Sequence, residues 1–152
     1  MEVKVTDDGV PPGQATGGGC GCRGVRYTID GPLRSVTDCH CEPCRRFTGH
    51  HLAATQVAVR HIVFDGTETL TWFESGLGVQ YGFCGRCGSS LFWRSSERPD
   101  MLSITAGTLD PPSGLTTEVA LFTAEHGDYH HPEPVAVSHD SSSTTSPACG
   151  SS

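Results

Sequence analysis

Seven of the eight cysteines of this 152-residue chain fall into three tight groups: Cys20 with Cys22, Cys39 with Cys41 and Cys44, and Cys84 with Cys87. Thiols spaced so closely cannot be an accident of core packing, because a loop that carries two of them presents both sulfurs to one point. Two outcomes are open to such groups, disulfides and metal sites, and compartment separates them. The N-terminus, Met1-Glu2-Val3-Lys4, lacks the basic-then-apolar order of an export signal. No window approaches the run of about 18 apolar residues that a membrane helix needs. The expectation is a cytoplasmic protein with no membrane partner, reduced thiols and cysteines that bind metal.

The spacing also divides the ligands. Cys20/Cys22 and Cys84/Cys87 are two pairs of the kind that together close a tetrahedral, structural zinc site. They would tie the start of the domain to its middle across a loop of about 60 residues. Cys39, Cys41 and Cys44 are an odd set. On an extended segment Cys39 and Cys41 share a face and His40 points away, and the turn that follows can return Cys44 to the same point. Three protein ligands with a fourth position left over is the pattern of a catalytic zinc, unless His50, His51 or His61 closes it. Three thiolates would leave that zinc electron-rich, poorly suited to acidifying water and better suited to holding an incoming thiol as its thiolate. The expected metal content is two Zn2+ per chain.

Around these groups the chain reads as turn-rich β structure. The 19 glycines and 10 prolines imply many short elements. Residues 1–15 read as a flexible lead-in and 16–137 as one zinc-binding domain. The Ser/Thr-rich stretch 138–152, which includes Cys149, reads as a disordered tail. Gly17-Gly18-Gly19 looks like a bend that lets Cys20 and Cys22 face one metal. Val25–Ile29 alternates as a strand and Leu33–Asp38 reads as a second. Pro43 could start a short helix that carries Cys44 to Phe47 and ends near Gly49. Further strands follow at Leu52–Val59, Ile62–Phe64, Thr69–Phe73, Val79–Phe83, Ser90–Arg94, Met101–Ala106 and Glu118–Thr123, with turn signals at Asp65-Gly66 and Ser75-Gly76. The implied class is mainly β, antiparallel sheets with at most one or two short helices.

A formal charge of −7 argues against a nucleic-acid partner. The arginines beside the cysteines can offset thiolate charge, and Arg45 and Arg46 could pair with the carboxylate of an anionic substrate.

Three blocks together carry a family resemblance. They are Gly18-Gly19-Cys20-x-Cys22 with Val25-Arg26-Tyr27, then Cys39-His40-Cys41-x2-Cys44-Arg45-Arg46 with Gly49, then Phe83-Cys84-x2-Cys87-Gly88-Ser89-x-Leu91-Phe92-Trp93. In this order they resemble the glutathione-dependent formaldehyde-activating enzyme family, also called centromere protein V-like, over roughly residues 17 to 129. The resemblance implies a zinc-stabilised fold of the β-tent type. It implies structural ligands Cys20, Cys22, Cys84 and Cys87, and second-site, catalytic ligands Cys39, Cys41 and Cys44. The implied reaction adds glutathione or an equivalent small thiol to formaldehyde or a related aldehyde, or reverses that addition, which is carbon–sulfur lyase chemistry. The alternative is a non-catalytic zinc module. Against the family pattern, Arg23 stands where Gly is usual, and Ala120 and Tyr129 stand where His and Trp are common.

Overall fold

A computed structural model describes residues 15–132 and the backbone of 137–139. The lead-in before residue 15 and the tail beyond 139, Cys149 included, lie outside the described residues. Eleven strands and one α-helix are present among them. A three-stranded antiparallel sheet holds β1 (Thr16–Gly19), β2 (Val25–Ile29) and β5 (Ile62–Thr67), in the order β1-β2-β5. An eight-stranded sheet holds β3 (Val36–Cys39), β4 (Leu52–Ala58), β6 (Leu70–Gly76), β7 (Val79–Cys84), β8 (Ser90–Ser95), β9 (Met101–Thr105), β10 (Thr117–Leu121) and β11 (Val137–His139). Its order is β11-β10-β3-β4-β9-β8-β7-β6. The protein is mainly β, as expected. The two pairings at the β11 edge are parallel, however, because β10 returns to β3 from the far end of the chain instead of through a hairpin. β11 also takes in Ser138 and His139, the first residues of the stretch read as a tail.

Strand alternation gives the large sheet two different faces. Val57, Phe92, Leu102 and Ile104 point to one face and pack with Val25, Tyr27 and Ile29 of the small sheet. Tyr27 meets Phe92 edge-on at 5.5 Å between ring centroids. Leu52, Ala54, Val79, Tyr81 and Trp93 point to the other face, which the single helix α1 (Glu42–Thr48) covers with Phe47 against Tyr81. Each fully buried Leu, Ile or Phe contributes about 1.5–3 kcal/mol, so both layers are held mainly by these side chains.

Three local expectations change. The glycine triplet is strand β1 and not a bend: a Cβ at Gly18 would strike the Tyr27 ring and the Thr108 carbonyl, so glycine is there to let two layers meet. Asp65-Gly66 does not turn the chain. The β2–β5 register skips at this point, leaving Asp65 as a bulge inside β5, and the turn falls at Glu68-Thr69. The hairpin after β6 turns at Leu77-Gly78, where Gly76, Leu77 and Gly78 all have positive φ. Among the described residues no helix is long and apolar enough to cross a membrane.

Candidate metal centre

The first cysteine group joins the two sheets. Cys20 and Cys22 follow β1, Cys84 ends β7 and Cys87 lies in the turn after it. Sγ of Cys22 lies 3.6 Å from Sγ of Cys20 and 3.6 Å from Sγ of Cys84. These are far from the length of a disulfide, and close to the edge of about 3.8 Å of a tetrahedron with metal–sulfur bonds near 2.3 Å. All four sulfurs lie within 4.8 Å of one another. The surroundings act unequally on the four thiols. The Gly24 backbone favours the Cys22 thiolate, but burial and the neighbouring Cys20, Cys84 and Cys87 outweigh it and push that thiol up to about 11. The Val25 and Cys87 N–H groups donate to Cys20 and Cys84 at 3.3 and 3.4 Å. The Thr69 hydroxyl, first among several hydrogen bonds, holds the Cys84 thiol below its ordinary range. The Ser89 hydroxyl, with the Ser89 N–H, brings Cys87 down to about 5. Arg23, next to Cys22, sits at φ 65 and donates its N–H to the Cys20 carbonyl. The left-handed backbone explains why glycine is the ordinary residue in that turn.

The second group lies on the helix face. Cys39 ends β3, Cys41 caps the helix N-terminus and Cys44 sits inside α1, so strand, turn and helix each supply one sulfur. Pro43 falls in the first turn, and Gly49 at φ 84 ends the helix in the left-handed conformation. Cys39, Cys41 and Cys44 are all buried, their sulfurs within 4.8 Å of one another, with Cys39 and Cys41 at 3.5 Å. No His, Asp or Glu among the described residues joins the three sulfurs within that spacing. The Tyr81 hydroxyl lies 3.6 Å from the Cys44 Sγ. The donor sets suit zinc at both groups: four thiolates at tetrahedral spacing in one, three buried thiolates in the other.

A cleft of about 260 Å³ opens on the same face of the sheet, and Cys39 and Cys44 form part of its wall. Its inner lining is mixed, with Leu52, Ala54, Trp93 and Leu121 beside the buried hydroxyls of Thr37, Ser95 and Ser103, and the exposed Arg34, Glu97 and Arg98 also line it. Trp93 Nε1 is buried with no acceptor among the described residues. Desolvation by the surrounding protein, and then the charge of Arg98, hold the Arg34 pKa below its ordinary value. Arg34 is placed by a bond from its Nη2 to the Ala54 carbonyl at 3.2 Å.

Arg45 and Arg46 do not line this cleft. The Arg45 Nε donates to the Glu125 carbonyl at 2.8 Å, and Arg46 stands exposed beside Glu42 at 3.6 Å. Arg34 and Arg98 have no shared local signal in the sequence; only the β4–β9 pairing and the β8–β9 turn bring them to one cleft. His40 is buried and turned away from the sulfurs toward His51, with ring centroids 4.9 Å apart. Burial, then the neighbouring His51, drives its pKa down to about 4. His61 lies elsewhere, 3.1 Å from Asp30.

Residues 15–125 match the family model described as glutathione-dependent formaldehyde-activating enzyme. A crystal structure of a Rhodobacter sphaeroides protein shares the fold, with a TM-score of 0.54 and 22% identity, covering 66% of this chain and 97% of that one. No curated protein matches the chain. On the extent of the family match, which takes in both cysteine groups, the chain belongs to the glutathione-dependent formaldehyde-activating enzyme family.

Proposed function

We propose that this protein is a zinc-dependent carbon–sulfur lyase that joins a small acidic thiol to formaldehyde or a related aldehyde, or breaks that bond. The observation that carries the reading is the cleft, whose lining includes two buried cysteines of the second group together with Arg34 and Arg98. Cys39, Cys41 and Cys44 would hold the zinc, and Cys20, Cys22, Cys84 and Cys87 a structural one. When bound, a zinc with three thiolate ligands lowers the pKa of an incoming thiol while leaving its sulfur nucleophilic. The remaining work falls to the chain. Arg34 and Arg98 bind the carboxylate of the thiol, which orients its sulfur into the cleft. Glu97, beside them, suits an ammonium group on the same molecule. Leu52, Ala54 and Trp93 exclude water from the reacting atoms. In the addition, the sulfur lone pair forms the C–S bond, the carbonyl π bond breaks toward oxygen, and that oxygen takes up the proton the thiol gave up. The reverse step restores thiol and aldehyde.

Support comes also from what surrounds the second group, where no fourth His, Asp or Glu lies within reach among the described residues. The test compares formation and breakdown of the glutathione–formaldehyde adduct with wild type, Cys41→Ser, Arg34→Met/Arg98→Met and no protein. Wild type should exceed the spontaneous rate, and Cys41→Ser should fall to it. The double arginine variant should raise KM about tenfold with kcat nearly kept, as expected for two partly exposed charge-assisted bonds. Equal rates with and without wild-type protein, for every cellular thiol offered, would remove the enzyme reading.

A further inference from the structure

Behind the cysteine-bearing strand lies a second group of potential ligands that contains no sulfur. On β3, Cys39 points toward the cleft, so by alternation Asp38 and the following His40 point the opposite way. His50 and His51, which lead from the end of α1 into β4, arrive on this side, and His130 reaches it from the segment after β10. The rings are packed together: His50 lies 4.4 Å from His51 and 4.5 Å from His130 between centroids. One ring nitrogen from each of His50, His51 and His130 lies within 4.8 Å of the other two.

We propose that His50, His51 and His130 form a further metal site, one of imidazole nitrogens, for a divalent transition cation of the zinc, nickel and copper class. Three observations carry it apart from proximity. His50 Nδ1 is taken up by the Tyr129 hydroxyl at 2.8 Å, which fixes the ring and leaves Nε2 for another partner. His51 Nε2 faces the Asp38 carboxylate at 3.6 Å, within ion-pair reach. The opposite nitrogen, His51 Nδ1, is buried and has no hydrogen-bond partner among the described residues, as is Asp38 Oδ1. A buried lone pair with no donor costs about 1–3 kcal/mol, and a cation at that point removes the cost. The pattern of one ring nitrogen turned to a carboxylate or hydroxyl and the other turned inward is how metal-binding histidines are oriented. Imidazole ligands select zinc, copper and nickel over magnesium or calcium. A tetrahedral site with metal–nitrogen bonds near 2.0–2.1 Å has edges of about 3.3 Å, so nitrogens that lie within 4.8 Å of one another must draw in toward that spacing to close on an ion.

The consequence is mechanical. His130 belongs to a turn in which its N–H donates to the Gly127 carbonyl, and the same segment receives Arg45 of α1 at Glu125. An ion at this site would clamp the segment after β10 onto the α1–β4 connection, on the back of the strand that delivers Cys39.

The experiment uses the full chain without a polyhistidine tag, loaded with two equivalents of zinc so that the thiolate groups, the stronger zinc ligands, are filled and the imidazole site is left open. Titration calorimetry with Ni2+ and with Zn2+ should then show one additional equivalent per chain. His50→Ala, at an exposed position, should abolish that equivalent while keeping the zinc already bound. Asp38→Asn should weaken it by about 10–100-fold, the usual effect of removing a ligand's orienting partner. No additional equivalent in a large excess of either metal would overturn the proposal, and so would full retention in His50→Ala. Because the readout is metal bound at a sulfur-free site, its failure would leave the thiol–aldehyde reading to be decided by the adduct assay alone.

Discussion

At the scale of single residues, Arg23 is the clearest departure from what the backbone asks for. Its φ of 65 is a region where a Cβ is strained, at a turn tied by its own N–H to Cys20. Arg23→Gly should therefore stabilise the protein by about 1 kcal/mol, seen as a higher denaturant midpoint with an unchanged slope. No gain would mean that the arginine side chain returns as much as its backbone costs, for instance by offsetting thiolate charge. The sequence already marked Arg23 as unusual, from its neighbours in the motif, but gave no reason; the sign of φ supplies it. His40 is a contrasting case, where alternation along an extended segment was enough to turn the ring away from the sulfurs. The cleft residues were not legible in the same manner. Arg34 and Arg98 are 64 positions apart, and nothing local to either says that they share a cleft.

Between residue and fold, the elements that sequence reads well are those whose signal is local. The alternation of Val25, Tyr27 and Ile29 gave β2 its bounds, and Pro43 with Gly49 bracketed α1 to within a residue. Misreadings came where glycine had two uses. In β1 it permits contact between layers, and at Gly66 it accompanies a bulge, whereas the local pattern suggested turns at both. At Gly49 the reading as a helix stop is sound, and the structure separates its causes. A Cβ there would meet nothing within 4 Å, so the requirement is conformational and not steric. Gly49→Ala should then cost about 1 kcal/mol in thermal or denaturant unfolding, and Gly49→Asn clearly less, because asparagine tolerates the left-handed region. Equal losses for the two would point to packing instead. The parallel β3–β10 pair had no local signal at all, since about 80 residues separate its strands and only the completed sheet defines their register.

For the molecule as a whole, the two cysteine groups should contribute unequally to stability, although each is a compact knot of thiolates. With a metal bound, Cys20, Cys22, Cys84 and Cys87 would stitch the small sheet to the large one and close a loop of roughly 60 residues, whereas Cys39, Cys41 and Cys44 lie within a single strand–helix turn. Treated as chain crosslinks, a loop of about 60 residues restricts the unfolded state by about 4 kcal/mol and one of about 6 residues by about 2 kcal/mol. The first group also sits beside Val25, Leu91 and Phe92, so its loss opens the core between the sheets as well as the loop. Stepwise removal of zinc from the cysteine groups by a graded chelator should thus show two phases. The first should take metal from the cysteines at the cleft with little change in near-ultraviolet circular dichroism. The second should coincide with loss of that signal and of cooperative unfolding. Cys41→Ser should show the second phase alone, and Cys22→Ser/Cys84→Ser should either unfold or melt far below wild type. A Cys41→Ser chain as destabilised as the double variant would mean that the helix-face metal, too, holds the sheets together.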